Sequence, residues 1–167
     1  MDYPFVNCHT HSKVDAQSIS IRNIFLSENN VFPPSSFYSL GLHPWHIFTE
    51  HIDVESILLD FILKDKNLIA IGEIGIDRAI GTSVDLQKCL FIRQLKVAQK
   101  NNIPIIVHCV RAYSDILGVL KQENITIPVM LHGFCANNTI TREFVRRNVY
   151  FSLGKQLYER NETLLKA

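Results

Sequence analysis

The sequence predicts an α/β fold, a barrel of parallel strands of the (β/α)₈ type that is incomplete at its C-terminal end. Apolar runs of strand length alternate along the chain with segments of helical periodicity, which is typical of parallel βα units. The runs are apolar throughout, as expected for strands that are covered on both faces. Side chains that can bind metals end several of these runs, and such strand ends converge in a closed barrel.

Seven runs are predicted as strands, and residues 1–167 as one domain, since the chain is long enough for a single core. The second run also fits a short helix. A closed barrel of this type needs an eighth strand, which the sequence does not supply after the last run. The predicted strands are Phe5–Cys8, Ile19–Leu26, Phe37–Leu42, Leu68–Ile71, Pro104–His108, Val129–His132 and Val149–Leu153.

Helices are predicted between several of these strands, each opened by a residue that can cap its first turn. Apolar residues recur in them at helical spacing, which places one face of each helix against the sheet. A last helix is predicted near the end of the chain. The predicted caps are Asp53, Thr82 or Ser83, Ser114, Asn138 or Thr139, and finally Tyr158 or Asn161.

The composition is that of a globular protein, with 47% apolar and 20% charged residues. The net charge of +1 excludes a general electrostatic attraction to nucleic acid, so any basic surface would be local. The four cysteines have no CxxC spacing, and no apolar signal segment opens the chain, so we expect a cytoplasmic location with reduced thiols. No apolar run reaches the ~20 residues of a membrane helix.

The candidate metal ligands are five side chains at or near strand ends. His9 and His11 follow the first strand, and their spacing directs both side chains to the same side. Glu73, His108 and His132 follow three later strands. Imidazole nitrogens with a carboxylate suit Zn, Mn or Fe, and a hydrolytic centre needs such ligands with a position left for water.

Other polar residues near these strand ends each have two possible roles. His43 could contact a substrate phosphate or support a ligand, and Arg111 could bind a phosphate bidentately or lie on the surface. Asp77 could orient a ligand histidine or cap the turn that follows it. We interpret Trp45 and His46 as loop packing.

Five motifs, in order along nearly the whole chain, resemble those of the TatD-type metal-dependent hydrolases, a branch of the amidohydrolase-like TIM barrels. The opening D-x-H-x-H element of that family resembles Asn7–His11, and its G-x-H-P element resembles the segment around His43. Its IGEIGLD signature resembles Ile71–Asp77. The remaining two matches are Gln87–Ala98 with Ile103–Cys109, and Val129–Phe134.

The resemblance implies a hydrolase with two divalent metal ions, Zn, Mg or Mn. His9, His11 and Glu73 would hold one ion, and Glu73, His108 and His132 the other, with Glu73 as the bridging and catalytic residue. The implied substrate is a phosphodiester in DNA or a nucleotide, clamped by the two ions. No membrane partner is implied.

The sequence departs from the family pattern in two places. Asn7 stands where the family often has Asp, and the last family motif, a strand ending in E-T-D, has no match. The Asp of that motif completes the first metal site and acts as a base, so we expect weak activity from this chain. Both edges of the sheet would lack a neighbour, and we expect them to be covered by each other, by a second copy of the chain, or by Asn161–Ala167.

Two alternative functions remain open. The same scaffold could hydrolyse a small amide or lactone, which would need a closed apolar pocket, whereas a phosphodiester needs cationic or helix N-terminal contacts. The chain could also be a metal-binding remnant without activity, or a fragment.

Overall fold

A computed structural model describes residues 5–11, 18–26, 36–48, 52–147 and 149–153. Its seven strands form one parallel sheet, and their order in the sheet is their order in the sequence. The predicted α/β fold with seven strands is therefore confirmed. The strands are β1 Phe5–Thr10, β2 Ser18–Phe25, β3 Tyr38–Gly41, β4 Leu68–Asp77, β5 Ile105–Val110, β6 Val129–Leu131 and β7 Val149–Phe151.

Four α-helices connect the later strands, and a short 3-10 helix, Pro44–His46, follows β3. The predicted caps are close to the observed ones. Asp53 accepts a hydrogen bond from the Ser56 N–H, and Ser83 precedes the second helix. The third helix is capped at Ala112, two residues before the predicted Ser114, and the fourth at Asn137, one residue before Asn138. The helices are α1 Val54–Lys64, α2 Val84–Lys100, α3 Tyr113–Gln122 and α4 Asn138–Val145; the predicted last helix lies outside the described residues.

The sheet curls like part of a barrel. β1 and β6 are not neighbours in the sheet, yet the ring centroids of His9, on β1, and His132, just after β6, are 3.8 Å apart. Over the ranges that the structure describes, no pairing joins β7 to β1. The predicted closure by direct pairing of the two edges is therefore not found there, and Asn161–Ala167 lies outside those ranges. Closure by a second copy stays a prediction.

β4 differs most from its prediction. The expected end at Ile71 is wrong, because the strand continues to Asp77 and carries Glu73 inside it. The pairing with β5 shifts by one residue between Ile71 and Ile74. Such a bulge turns the direction of a side chain within a strand, so Glu73 reaches the site from a bulge and not from a turn.

The core lies between the sheet and the helices. In β4 every residue except Ile69 is buried, and α2 packs directly on this strand. The buried residues of α2 include Leu90, Leu95 and Ala98. Each fully buried Leu or Ile contributes about 1.5–3 kcal/mol. In the part of the chain described, no helix is long and apolar enough to cross a membrane.

Candidate metal centre

Glu73 lies at the middle of a cluster of histidines. Its side chain is 3% exposed, and imidazole nitrogens approach both carboxylate oxygens. Oε2 is 3.3 Å from Nε2 of His9 and 3.8 Å from Nε2 of His11. Oε1 is 2.7 Å from Nδ1 of His108 and 3.9 Å from Nε2 of His43. One carboxylate therefore faces two separate groups of imidazoles, one on each oxygen.

His9 and His11 converge as the spacing predicts. Their Nε2 atoms are 3.0 Å apart, although His9 is almost buried and His11 is half exposed. The pairing of β1 with β2 shifts by one residue between Asn7 and Thr10, so His9, like Glu73, lies in a bulge. Two strands of the sheet, β1 and β4, thus use the same local irregularity to direct a ligand inwards.

His108 is held between two carboxylates. Its Nδ1 contacts Glu73, and its Nε2 lies 3.2 Å from Oδ2 of Asp77. Burial alone would lower the pKa of His108, but the hydrogen bond and charge of Glu73 and those of Asp77 outweigh it and raise that pKa. Asp77 also accepts a hydrogen bond of 2.7 Å from Nε1 of Trp45. These contacts fix the orientation of the imidazole ring.

His43 turns its Nε2 toward Glu73 because its other nitrogen is engaged. Nδ1 accepts a hydrogen bond of 3.1 Å from the Trp45 N–H and so caps the 3-10 helix. The side chain is 4% exposed. Burial, together with the charge of His108, lowers the pKa of His43 to about 3, so the ring stays neutral. Because Nδ1 accepts a hydrogen bond, the single ring proton lies on Nε2, the nitrogen that faces Glu73.

His132 packs against His9 at an interplanar angle of 37°. The Nδ1 atoms of both rings are buried and have no hydrogen-bond partner in the described part of the chain. A buried, unpaired polar atom costs about 1–3 kcal/mol. Burial lowers the pKa of His132, so this ring too is neutral near pH 7.

The ionisation of the cluster favours a bound cation. Burial would raise the pKa of Glu73, but the hydrogen bond from His108 and the charges of His9, His108 and His43 lower it to about 2. Burial, with the charge of His132, lowers the pKa of His9 to about 4. At neutral pH the site therefore combines an ionised carboxylate with neutral rings at His9 and His132, the form in which these side chains bind metals.

These residues fit a metal ion by three criteria. Their donors are nitrogen and carboxylate oxygen, which suit Zn or Mn. Two buried imidazole nitrogens, Nδ1 of His9 and of His132, have no partner among the described residues. Two sets of three donor atoms each lie within 4.8 Å of one another: one is His9, His11 and Glu73, and the other is His43, Glu73 and His108. The first set is the one that the family resemblance implies, while His43 stands in the second set where the resemblance implies His132.

A cleft of about 420 Å³ opens over the cluster. Two aromatic residues that were not expected there, Phe25 and Trp45, line it. Phe25 stacks on His11, with ring centroids 5.3 Å apart, and Trp45 contacts the rings of His43 and His108. Trp45 is therefore more than loop packing, and its position directly after His43-Pro44 was the signal available in the sequence.

Arg111 lies apart from this cleft. It is exposed, has a φ of 53°, and is not among the described residues that line the cleft. Its predicted contact with a phosphate stays a prediction. The roles of His43 and Asp77 also stay predictions, although their side chains lie against Glu73 and His108 as described above.

Comparison with known proteins agrees with this geometry. The model of the family described as TatD related DNase matches residues 6–167. A protein of Haemophilus influenzae named as an uncharacterized metal-dependent hydrolase is 33% identical over 138 residues, or 78% of this chain and 52% of its own length. The 3'-5' ssDNA/RNA exonuclease TatD of Escherichia fergusonii is 26% identical over 72% of this chain and 46% of its own length.

The fold has a close counterpart among solved structures. YjjV, a TatD homologue from Escherichia coli K12, superposes with a TM-score of 0.77 over 98% of this chain and 73% of its own, at 20% identity. The chain spans about half the length of the curated relatives it matches. With a family model that covers residues 6–167 and a sheet that follows the same fold, this chain belongs to the TatD family.

Proposed function

We propose that this chain provides the metal centre of a hydrolase that cleaves phosphodiester bonds in DNA or nucleotides with two divalent ions. The observation that carries the proposal is the arrangement around Glu73, whose two carboxylate oxygens face separate groups of imidazoles. A carboxylate in that position can serve two ions at once.

The ligands are assigned from the two donor sets. His9, His11 and Glu73 would hold one ion, and Glu73 with His108 the other. We assign the remaining position to His132 rather than His43, because the lone pair of His43 accepts the Trp45 N–H. Zn and Mn suit these donors best. Ions bound there would supply Lewis acidity, that is, positive charge that polarises a phosphate and lowers the pKa of a water molecule.

The chain's own residues prepare this chemistry. Glu73 stays ionised at neutral pH, while His9 stays neutral and keeps a lone pair for a cation. Asp77 holds His108 from the side opposite Glu73, which keeps the ring in one orientation. Burial of Glu73 strengthens its interaction with a cation, because little water competes for the carboxylate.

The nature of the substrate is inferred from the named relatives. Some are named as deoxyribonucleases, and others as exonucleases of single-stranded DNA and RNA. The described residues that line the cleft include no Lys or Arg. We therefore assign the positive charge that holds the phosphate to the bound ions, which is compatible with a net charge of +1.

A small amide or lactone is the second candidate substrate. The aromatic lining from Phe25 and Trp45 and the lack of cationic side chains in the described lining favour it. Incubation with an oligonucleotide distinguishes the two candidate functions, since only a phosphodiesterase would release nucleotides from it.

We also propose a reducing location such as the cytoplasm. Among the described residues no disulfide joins any of the four cysteines, Cys8, Cys89, Cys109 and Cys135. Thiols persist in compartments where disulfides are kept reduced.

The test is cleavage of a single-stranded oligothymidylate by the purified chain with Mn²⁺, Zn²⁺ or Mg²⁺, before and after chelation. We expect release of nucleotides that stops with chelator, and a loss of at least 100-fold in Glu73→Gln. Glu143→Gln is the matched control, because Glu143 lies on α4 and pairs with Lys121 away from the cleft. Cleavage that is insensitive to chelator, or equal in Glu73→Gln, would rule the proposal out.

A further inference from the structure

Trp45 is an exposed aromatic side chain in an unusual place. The residue is 60% exposed, although large apolar rings are normally buried. It lines the same cleft as Glu73 and His108, and its ring centroid is 6.1 Å from that of His108. An exposed indole thus stands directly beside the proposed metal centre.

The ring of Trp45 is held in position from two sides. Its Nε1–H donates to Asp77 at 2.7 Å, and its edge packs on His43 at 5.2 Å between centroids and 83° between planes. A ligand that stacks on a fixed ring loses little entropy in the protein, which favours binding. The hydrogen bond satisfies the polar atom of the indole and leaves its apolar surface available.

The exposed aromatic surface continues beyond Trp45. Phe48 is 75% exposed and contacts His46, and His46 contacts Phe25 with centroids 4.7 Å apart. Of these rings Phe25 lines the cleft together with Trp45, and the described lining there has no Lys or Arg. Contacts to a nucleotide on this side therefore come from π-surfaces and not from cationic side chains.

We propose that Trp45 stacks on the nucleobase next to the scissile phosphate and so makes cleavage depend on the presence of that base. The inference rests on the proposed phosphodiesterase function and adds the residue that positions the nucleoside. Stacking suits this role, because each base offers a π-face whatever its sequence, and loss of one stacked base weakens binding roughly tenfold or more. Asp77 connects the proposed stacking residue with the metal centre, since it contacts both Trp45 and His108.

The experiment compares an oligothymidylate with the same oligomer carrying an abasic terminal nucleotide. We expect the parent chain to prefer the intact oligomer about tenfold in kcat/KM. Trp45→Leu should lower this preference to nearly one, and Trp45→Phe should keep most of it. Both variants lose the hydrogen bond to Asp77, so their difference reports the aromatic ring. Tyr150→Leu is the control, since Tyr150 is an equally exposed aromatic residue on β7.

A second readout separates this inference from the proposed function. Trp45 is the single tryptophan of the chain, so intrinsic fluorescence reports on this ring alone. If the Mn²⁺-incubated chain cleaves neither oligomer, the proposed function fails, and the fluorescence titration decides the inference. Quenching by the intact oligomer at concentrations at least fivefold lower than by the abasic one supports stacking. Equal titrations, or equal base preference in Trp45→Leu and the parent, would overturn it.

Discussion

Gln94 and Leu42 are joined by two hydrogen bonds in the interior of the protein. The Leu42 N–H donates to Oε1 of Gln94 at 2.8 Å, and Nε2 of Gln94 donates to the Leu42 carbonyl at 3.2 Å. Leu42 precedes His43, so an amide on α2 fixes the backbone that presents this imidazole. Gln87 lies about two turns closer to the N-terminus of α2 on the same buried face. It pairs in the same way with the N–H and carbonyl of Asp77.

Replacing Gln94 should therefore destabilise the fold. In Gln94→Leu the buried N–H and carbonyl of Leu42 lose these partners, and we expect the free energy of unfolding to fall by about 2 kcal/mol or more. Urea denaturation measures it. Gln99→Leu is the matched control, because Gln99 also makes two side-chain bonds from α2, to Asn124 and Thr126, but at the surface. If the two variants lost the same free energy of unfolding, the hydrogen bonds between Gln94 and Leu42 would not contribute specifically to stability.

Asp77 should affect metal affinity without itself being a ligand. Asp77→Asn keeps an acceptor for Trp45 but removes the charge that faces Nε2 of His108. We expect a 10- to 100-fold loss in Mn²⁺ or Zn²⁺ affinity, the range typical of residues that orient a ligand. Isothermal titration calorimetry measures it. Asp115→Asn should leave the affinity unchanged, because Asp115 pairs with Arg78 and Lys88 at the surface; an equal loss in both variants would contradict the assignment.

Two glycines should respond to alanine in opposite directions. Gly75 in β4 has a φ of +149°, and an added Cβ would lie 2.0 Å from the His108 carbonyl oxygen. Gly75→Ala should therefore unfold the protein or lower its stability by at least about 2 kcal/mol. Gly118 lies inside α3 with nothing within 4 Å of such a Cβ, so Gly118→Ala should stabilise by about 0.5–1 kcal/mol. Thermal unfolding of both variants is the measurement, and a stable Gly75→Ala variant would refute the packing described for β4.

The sequence allowed the strands and their order to be predicted, because buried parallel strands are continuous apolar runs. The end of β4 was wrong for a specific reason. Gly72 and Gly75 around Glu73 are typical of a turn, whereas here they belong to a bulged strand that packs tightly on β5. Local composition cannot distinguish these two situations, since the close approach of β5 is a tertiary contact.

The imidazoles were predictable for a similar reason, since His9, His11, His108 and His132 each follow an apolar run. The buried amides of Gln87 and Gln94 were not. A glutamine on a helix is normally a surface residue, and only the fold brings loop backbone next to it. The position of Trp45 in the cleft was missed because an aromatic residue after a strand is more often packing.

The number of metal ions bound per chain tests the central claim most directly, namely that Glu73 serves two sites. Inductively coupled plasma mass spectrometry after loading with Mn²⁺ or Zn²⁺ and desalting should give about two ions for the parent chain. Glu73→Ala should retain fewer than one, since each donor set loses its carboxylate, and His108→Ala with His132→Ala should retain about one. His46→Gln, a cleft neighbour outside both sets, should keep two. A Glu73→Ala variant that still binds two ions would contradict the account.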